Sequence, residues 1–442
     1  MTLSGRFTAL LALGVVPVVL LGGDAARAYA ALGAWVALCL LAGVADLLLA
    51  ASPRRVALQR DLPSRVRLGT DARAELLITN TGRRPLRAEV RDAWEPSAGI
   101  ERSRTALRIP PGERRRVVET LRPWRRGERR VAQVTVRSWG PLRLWARQAT
   151  LGAPGRIRVL PPFTARKHLP SRLARLRELD GATSVMLRGQ GTEFDSLREY
   201  VRGDDVRSID WRATARRHDP AAGGSKVMVR TWRPERDRHV IIVIDTGRTS
   251  AGRIADEPRI DTAFEAALLL AALATRAGDR IDLVAFDRIV RGRVQGASGP
   301  ELLSRMVEAM AGIEPSLIEM DWAAVPGQVS AITSQRSLVV LLTSVDAPGA
   351  SRGLLSVLPQ LTAKHLVVVA SVSDPDTLAA TVSRKDRDGV YRAAAAERAL
   401  LDVGRVSAAV QRLGGDVVTG APADLPPALA DRYLALKAAG RL

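Results

Sequence analysis

Aspartate and arginine alternate between Gly189 and Arg216, the stretch of the sequence richest in side chains that could do chemistry. Carboxylate and guanidinium groups form strong charge-assisted hydrogen bonds, and Gly203 permits a tight turn beside them. No nucleophile with a matched base accompanies the carboxylates. The spacing therefore favours ion pairs that form a structural latch onto the following domain, with a docking surface or a catalytic site as open alternatives. The charged residues are Asp204, Asp205 and Asp210 with Arg198, Arg202, Arg207, Arg212 and Arg216.

A second group of polar side chains follows apolar runs further along the chain. Val240–Ile244 ends at Asp245, and Leu338–Leu342 is followed by Thr343 to Asp346. Ligand sites of open parallel sheets lie beyond the carboxyl ends of the strands. We therefore expect the residues after these two runs to lie at a candidate site.

The elements that would position this site alternate between strands and helices from residue 238 to 442. Continuous apolar strands alternating with helices predict a doubly wound parallel sheet covered on both faces, the α/β part of the fold. The predicted strands are 240–244, 281–286, 338–342, 366–370 and an edge strand at 416–418; the predicted helices are 259–277, 353–364, 390–413 and 427–436.

In residues 53–160 the apolar residues follow a different spacing from that of residues 238–442, and the region is strongly basic. Short, partly alternating runs separated by turn signals predict an antiparallel β-sandwich, the all-β part of the fold. Residues 51–150 contain 24 basic and 10 acidic residues, and 238–442 contain 23 of each, so most of the net charge of +21 lies in this module. The basic face is a solvated surface, a surface for anionic lipid or an acidic protein, or, with lower expectation, a nucleic-acid surface. Residues 161–237 are interpreted as a linker that carries the Asp–Arg block.

The first 52 residues predict a transmembrane helical hairpin with helices at about 7–23 and 29–50. Both runs have roughly the 17–25 residues needed to cross a bilayer. Arginines precede the first helix and follow the second, which places the remainder of the chain in the cytoplasm as part of a multi-pass inner-membrane protein. The alternative is a cleaved signal peptide, because A-x-A sites occur at 26–28 and 28–30. A single cysteine, Cys39, and four histidines argue against a disulfide framework and against Cys- or His-based metal sites.

The ordered pattern E-F-x-x-L-R-x-Y-x-x-G-D-x-x-R-x-I-x-W-x-x-[ST]-A-R resembles the signature of the DUF58 family of bacterial proteins of unknown function. The resemblance extends over nearly the whole chain, including the tail Asp431–Lys437. It identifies candidate latch or partner-binding residues, which are Glu193, Phe194, Arg198, Tyr200, Gly203, Asp204, Arg207, Asp210, Trp211 and Arg216.

The resemblance also implies a von Willebrand factor type A-like C-terminal domain. In such domains a D-x-S-x-S loop, a distant threonine and a further aspartate bind Mg²⁺ through oxygen atoms. Here Asp245, Thr249 and Asp346 fill three of those positions and Gly247 replaces the first serine. The implied metal site is therefore degenerate, and no cofactor is assigned beyond possible Mg²⁺.

Together these expectations predict a membrane-anchored, non-enzymatic binding or adaptor protein. The resemblance implies an AAA-type ATPase of the MoxR kind as the partner, and the chain lacks a P-loop of its own. One alternative is a metal-dependent hydrolase at the membrane, which requires Asp204, Asp205, Asp210 and Asp245 to converge. A nucleic-acid binder is the other alternative.

Overall fold

A computed structural model of the 442-residue chain shows two compact units, Met1–Pro162 and Phe163–Leu442. The structure describes only the backbone of residues 180–186, 193–196, 218–219, 224–225 and 231–233. The structure describes all residues except Met1, 187–192, Gly203, Arg217, 220–223, Lys226, 234–237, 347–348, Ala350 and 383–385.

The first unit begins with three apolar helices, α1 (Gly5–Ala12), α2 (Val15–Leu21) and α3 (Ala25–Leu49). Among the described residues only α3 is long and apolar enough to cross a membrane by length and composition. The first predicted helix is interrupted at residues 13–14. Pro17 explains the interruption, because proline lacks an N–H to donate four residues back and its ring crowds that carbonyl.

The α3 helix exposes most of its apolar surface. Its buried residues are Cys39, Gly43 and Asp46, a narrow stripe along one face of the last turns. Leu38, Leu41 and many other large apolar side chains of α2 and α3 are exposed. Such a surface is unfavourable in water and favourable in a lipid phase, which supports an anchoring role for α3; the hairpin topology stays a prediction.

The rest of the first unit is two sheets. One has the order β1-β9-β8-β5-β6, with β3 parallel to β9 and the other pairs antiparallel, and the second is the antiparallel sheet β2-β4-β7. Alternating buried residues of both sheets, such as Ile78 and Val136, share a core. The strands are β1 (Thr2–Leu3), β2 (Val56–Asp61), β3 (Arg65–Arg67), β4 (Ala72–Asn80), β5 (Leu86–Trp94), β6 (Arg104–Ile109), β7 (Arg114–Leu121), β8 (Gly127–Trp139) and β9 (Trp145–Leu160).

Asp46 joins the apolar helix α3 to the β8–β9 loop. Its carboxylate accepts hydrogen bonds from the N–H groups of Leu142 (2.7 Å), Leu144 (2.7 Å) and Trp145 (3.2 Å). Gly140 lies so close that a Cβ atom there would be 2.2 Å from the Asp46 carboxylate. The only acidic residue in the predicted second membrane segment therefore fastens that helix to the basic module.

The second unit is built around a sheet of order β18-β17-β14-β19-β20-β21, parallel except for the antiparallel edge strand β18. Successive residues of β14, such as Ile241 and Ile242, belong to core clusters on opposite faces. Helices α4, α6, α7 and α12 cover one face, and α8, α9 and α11 cover the other. The sheet strands are β14 (His239–Asp245), β17 (Arg280–Phe286), β18 (Val290–Val294), β19 (Leu338–Leu342), β20 (Leu366–Val372) and β21 (Asp416–Gly420).

The remaining elements of this unit include three small strand pairs, β10 with β13, β11 with β12 and β15 with β16. These short strands are β10 (Glu193–Glu199), β11 (His218–Asp219), β12 (Gly224–Ser225), β13 (Met228–Arg233), β15 (Arg253–Ile254) and β16 (Glu257–Pro258). The helices are α4 (Leu169–Met186), α5 (Trp211–Arg216), α6 (Arg259–Arg276), α7 (Gly299–Ala311), α8 (Val325–Ser330), α9 (Arg352–Thr362), α10 (Pro375–Ala380), α11 (Arg387–Arg412) and α12 (Leu425–Ala438).

The tail motif Asp431–Lys437 holds α12 in place. Asp431 accepts two hydrogen bonds from Arg172 of α4, at 3.1 and 2.7 Å. Tyr433 and Lys437 both donate to the buried Asp279 in the turn before β17. Burial raises the pKa of Asp279, and the bonds from the tail oppose that rise. The tail is therefore a packing element of this unit.

Candidate functional site

Asp210 organises the described part of the Asp–Arg block. Its Oδ1 accepts the N–H groups of Arg212 and Ala213, both at 3.0 Å, and so caps α5, while its Oδ2 accepts Arg230 Nε at 2.7 Å. The bonds from Ala213 and Arg230 lower the pKa of Asp210. Thr214 reinforces the junction, because its hydroxyl accepts the Met228 N–H at 2.9 Å. The start of α5 is thereby fixed to β13.

Asp204 and Asp205 shape the loop before α5. Asp204 accepts the Arg198 guanidinium at 2.5 Å and the Val201 N–H at 2.9 Å. Asp205 accepts the Arg207 N–H at 3.0 Å, which caps a 3₁₀ turn. The ion pairs described here join parts of the segment 197–230 to one another. These ion pairs hold the segment itself together, and the latch onto the following domain stays a prediction.

The other candidate residues of the block have different environments. Tyr200 donates its backbone N–H to Val227 O at 2.7 Å, and Arg207 and Arg216 are exposed. Trp211 is 68% exposed although it is the first residue of α5. The backbone of Glu193 and Phe194 is in β10, and Gly203 lies outside the described residues.

Asp245 forms the second centre, at the carboxyl end of β14. It is 3% exposed, and its Oδ1 accepts the Gly247 N–H at 2.7 Å. Its Oδ2 accepts the hydroxyl groups of Thr249 at 3.0 Å and Thr343 at 2.7 Å. Burial raises the pKa of Asp245, and the three hydrogen bonds oppose that rise. The structure thus brings Asp245 and Thr249 together.

Gly247 lets a neighbouring loop close over Asp245. A Cβ atom at this position would lie 2.8 Å from Ile318 O and 3.0 Å from Asp245 Oδ1, so a serine there would displace one of them. Arg248 fixes the same loop through its backbone N–H to Ile318 O, at 2.8 Å, and its side chain to Glu319, at 2.5 Å. The glycine that replaces the expected serine is therefore required by close packing.

Asp346 is held by an arginine. Its carboxylate forms an ion pair with Arg259, the first residue of α6, and Arg259 lines the same small crevice as Thr249 and Thr343. Among the described residues, no three aspartate, glutamate, histidine or cysteine side chains are grouped to hold a metal ion. One carboxylate and two hydroxyls beside a guanidinium are a poor donor set for a hard divalent cation. The arrangement does not fit Mg²⁺.

The sequence placed Thr343 at this edge without assigning it a contact, and Asp287 was not among the candidates. Thr343 donates to Asp245, and Asp287, at the end of the next strand, accepts bonds from Thr246 (3.1 Å) and Arg291 (2.7 Å). These bonds and the N–H groups of the following two residues lower the pKa of Asp287 to about 2 against the opposing effect of burial. Asp287 directly follows the buried parallel strand β17, a position that would have identified it as it did Thr343.

One family of known sequences matches the part of the chain that contains both centres. The sequence model of one family is described as "Protein of unknown function DUF58". Residues 196–381 match it. The DUF58 match includes Arg198 to Arg216, Asp245 and Asp346, which are the two centres described above.

Curated relatives and solved structures add little about activity. Uncharacterized proteins of Mycobacterium bovis and Mycobacterium tuberculosis are 25% identical over 199 residues, which is 45% of this chain and 60% of theirs. An alpha-2-macroglobulin of Salmonella matches 24% of the chain and 7% of its own, at 20% identity and a TM-score of 0.19. The CARDB domain of a Pyrococcus furiosus protein matches 24% of this chain and 86% of its own, at 15% identity and a TM-score of 0.18. Scores this low carry no argument about fold or function.

Proposed function

We propose that this protein is a membrane-anchored, non-enzymatic binding protein that docks a protein partner through the segment 197–216. The observation that carries the proposal is the exposure of Trp211 on a helix whose first turn is fixed by Asp210 and Arg230. A tryptophan held outward on an ordered scaffold is typical of an interface anchor. A flexible or buried tryptophan would not support this function.

The surroundings of Trp211 favour an acidic partner. Val201 and Val206 are 61% and 63% exposed, so the segment presents apolar side chains in addition to the indole. Arg202, Arg207, Arg212 and Arg216 are exposed between them. Asp204 is paired with Arg198 and Asp210 with Arg230 of β13, so the four exposed arginines outnumber the exposed Glu199 and Asp205 and the outward charge is positive. An apolar surface with arginines at its border complements an acidic protein surface.

The hydrolase alternative requires converging carboxylates. In the described residues Asp204 and Asp210 are bonded to arginines, Asp205 caps a turn, and both oxygens of Asp245 accept hydrogen bonds from the chain itself. These contacts support a structural role for each carboxylate. They favour the binding function over the hydrolase.

The identity of the partner rests on the resemblance and on topology. A parallel sheet with helices on both faces is compatible with a von Willebrand factor type A-like domain, and the two packed sheets of the first unit are compatible with a sandwich. Together with the DUF58 match, this arrangement is the basis for proposing an AAA-type ATPase of the MoxR kind as the partner. In this proposal the multi-pass hairpin holds both units on the cytoplasmic side of the inner membrane.

The proposal is tested by measuring binding of the full chain in detergent to a purified MoxR-type ATPase from the same organism. We expect Trp211→Ala to weaken binding about tenfold or more, as for a buried interface tryptophan. Trp124→Ala is the matched control, since Trp124 is 62% exposed in the other unit and should leave the affinity unchanged. An ATPase that does not bind the wild-type chain, or equal losses for the two variants, contradicts the proposal.

A further inference from the structure

The first unit contains an open cavity of about 900 Å³ beside the start of α1. Four arginines line it, namely Arg6, Arg87, Arg108 and Arg143. None of the four has a carboxylate partner within the part of the chain that the structure describes, and Arg87 makes one long bond, 3.4 Å, to the Pro141 carbonyl. Glu89 is the one acidic residue of the described lining, so the lining carries four positive charges against one negative charge.

Two of these arginines oppose each other directly. Arg87 of β5 and Arg108 of β6 are register partners in the antiparallel pair. Like charges placed opposite each other across a sheet are destabilising. The carboxylate nearest along β5, Glu89, lies within 3.5 Å of Arg104 and 3.8 Å of Arg137, so it is shared between other arginines. An anion between Arg87 and Arg108 would remove the repulsion.

The cavity also lies next to the apolar helices. Arg143 belongs to the β8–β9 loop that Asp46 of α3 holds by its backbone N–H groups, and Arg6 is the second residue of α1. Arg147 donates to Leu47 O near the end of α3 at 3.0 Å. Trp139, half-buried, lines the same cavity. Tryptophan and arginine at the end of an apolar helix are typical of the level of lipid headgroups.

We propose that this cavity binds the phosphate of an anionic glycerophospholipid, whose acyl chains lie along the exposed faces of α1 to α3. Guanidinium groups suit phosphate, because they donate paired hydrogen bonds in one plane. Glycerol phosphate headgroups are small enough for a cavity of about 900 Å³. The lipid would offset the repulsion between Arg87 and Arg108 and fix the basic module against the membrane surface. The inference rests on the membrane anchoring proposed above and not on docking of a protein partner.

The test is a binding titration of the full chain in a neutral detergent with acyl-labelled phosphatidylglycerol in mixed micelles. We expect the wild-type chain to bind phosphatidylglycerol and not phosphatidylcholine. The double variant Arg87→Gln/Arg108→Gln should weaken binding roughly ten- to thirtyfold, because each arginine near anionic lipid contributes about a three- to fivefold factor in affinity.

The matched control is Arg91→Gln/Arg104→Gln. These two arginines also oppose each other on β5 and β6, and removing them changes the net charge equally, but they do not line the cavity. We expect the control to retain at least half of the wild-type affinity. Equal weakening of both doubles would show that only the overall charge matters and would overturn the site.

A competition arm distinguishes the source of the phosphate. Inorganic phosphate or glycerol 1-phosphate at millimolar concentration should leave the lipid bound, because neither carries the acyl chains. Displacement by these anions would overturn the assignment to lipid, as would equal binding of phosphatidylcholine. Membrane anchoring is checked separately: the double variant should remain in the membrane fraction, because its α3 helix is unchanged. Binding of the ATPase is tested independently with the Trp211 variant.

Discussion

Asp210 and Asp245 have similar local hydrogen bonds, but their pKa values are shifted in opposite directions. In both, Oδ1 accepts the N–H of the residue two positions later, and Oδ2 accepts side chains from elsewhere in the chain. The N–H of Ala213 in the same turn and the guanidinium of Arg230 lower the pKa of Asp210. Burial raises the pKa of Asp245 against the bonds from Thr343, Gly247 and Thr249. Both turns supply hydrogen bonds that lower the pKa, so the direction of the net shift is decided by burial, which outweighs these bonds at Asp245 and does not at Asp210.

The largest effect in this comparison is expected from removing the Asp245 carboxylate. Asp245→Ala leaves the buried N–H of Gly247, the buried hydroxyl of Thr343 and the half-buried hydroxyl of Thr249 without their acceptor, which should cost about 3–5 kcal/mol of unfolding free energy. Asp245→Asn keeps the volume and part of the bonding and should cost less. Urea unfolding of the full chain in detergent measures both, with the exposed Asp256→Ala as a control expected to change stability by less than about 0.5 kcal/mol. A loss from Asp245→Ala no larger than the control would contradict the structural role of this centre.

A second prediction extends the comparison to a carboxyl that faces another carboxyl. Glu119 in the first unit is 7% exposed, and burial together with the neighbouring Asp92 raises its pKa from 4.5 to about 8. The unfolded chain releases this proton near pH 4.5 and the folded chain retains it to about pH 8, so stability falls as the pH rises through that interval.

Glu119→Gln imitates the protonated form and should remove this dependence. We expect it to be about 1–3 kcal/mol more stable than the wild-type chain at pH 9 and nearly equal to it at pH 5. Thermal unfolding at both pH values measures the difference. The exposed Glu113→Gln serves as the control and should show no such pH dependence; a Glu119→Gln variant that behaves in the same way as this control would refute the raised pKa.

The smallest effect is expected at Asp210, because its segment is exposed. Asp210→Asn weakens the bond to Arg230 and should increase amide hydrogen exchange in α5 a few-fold without changing global unfolding. Arg230→Gln should have the same effect, and combining the two should add little, since one contact is removed in each case. Because the pKa of Asp210 is lowered, the protection should be present at neutral pH and lost as the pH falls below the usual range of aspartate. Increased exchange throughout the second unit would argue against a local latch.

The sequence predicted the sheet of the second unit well. The runs 240–244 and 338–342 form β14 and β19, and the helix predicted at 259–277 is α6. These elements are buried on both faces, so their continuous apolar character is a strong signal.

The first unit was predicted less completely, for identifiable reasons. The 16-residue strand β9 was not predicted, because it contains Gly152, Pro154 and Gly155, which usually indicate turns. Its partner β8 has an irregularity between Val131 and Gln133, which accommodates those residues. The first membrane helix was predicted as one element, whereas Pro17 divides it into α1 and α2.

The sequence by itself determined where the chain is apolar, basic or turn-forming, and hence α3, the basic module, the parallel sheet and the aspartates at the starts of turns. It also placed the net charge of +21 in the middle of the chain. Only the tertiary structure decided which group meets each carboxylate: Arg230 for Asp210, Thr343 for Asp245 and Arg259 for Asp346. The physical reason is that local hydrogen bonds depend on residues two or three positions apart, whereas burial and ion pairing depend on elements that fold together from distant parts of the chain.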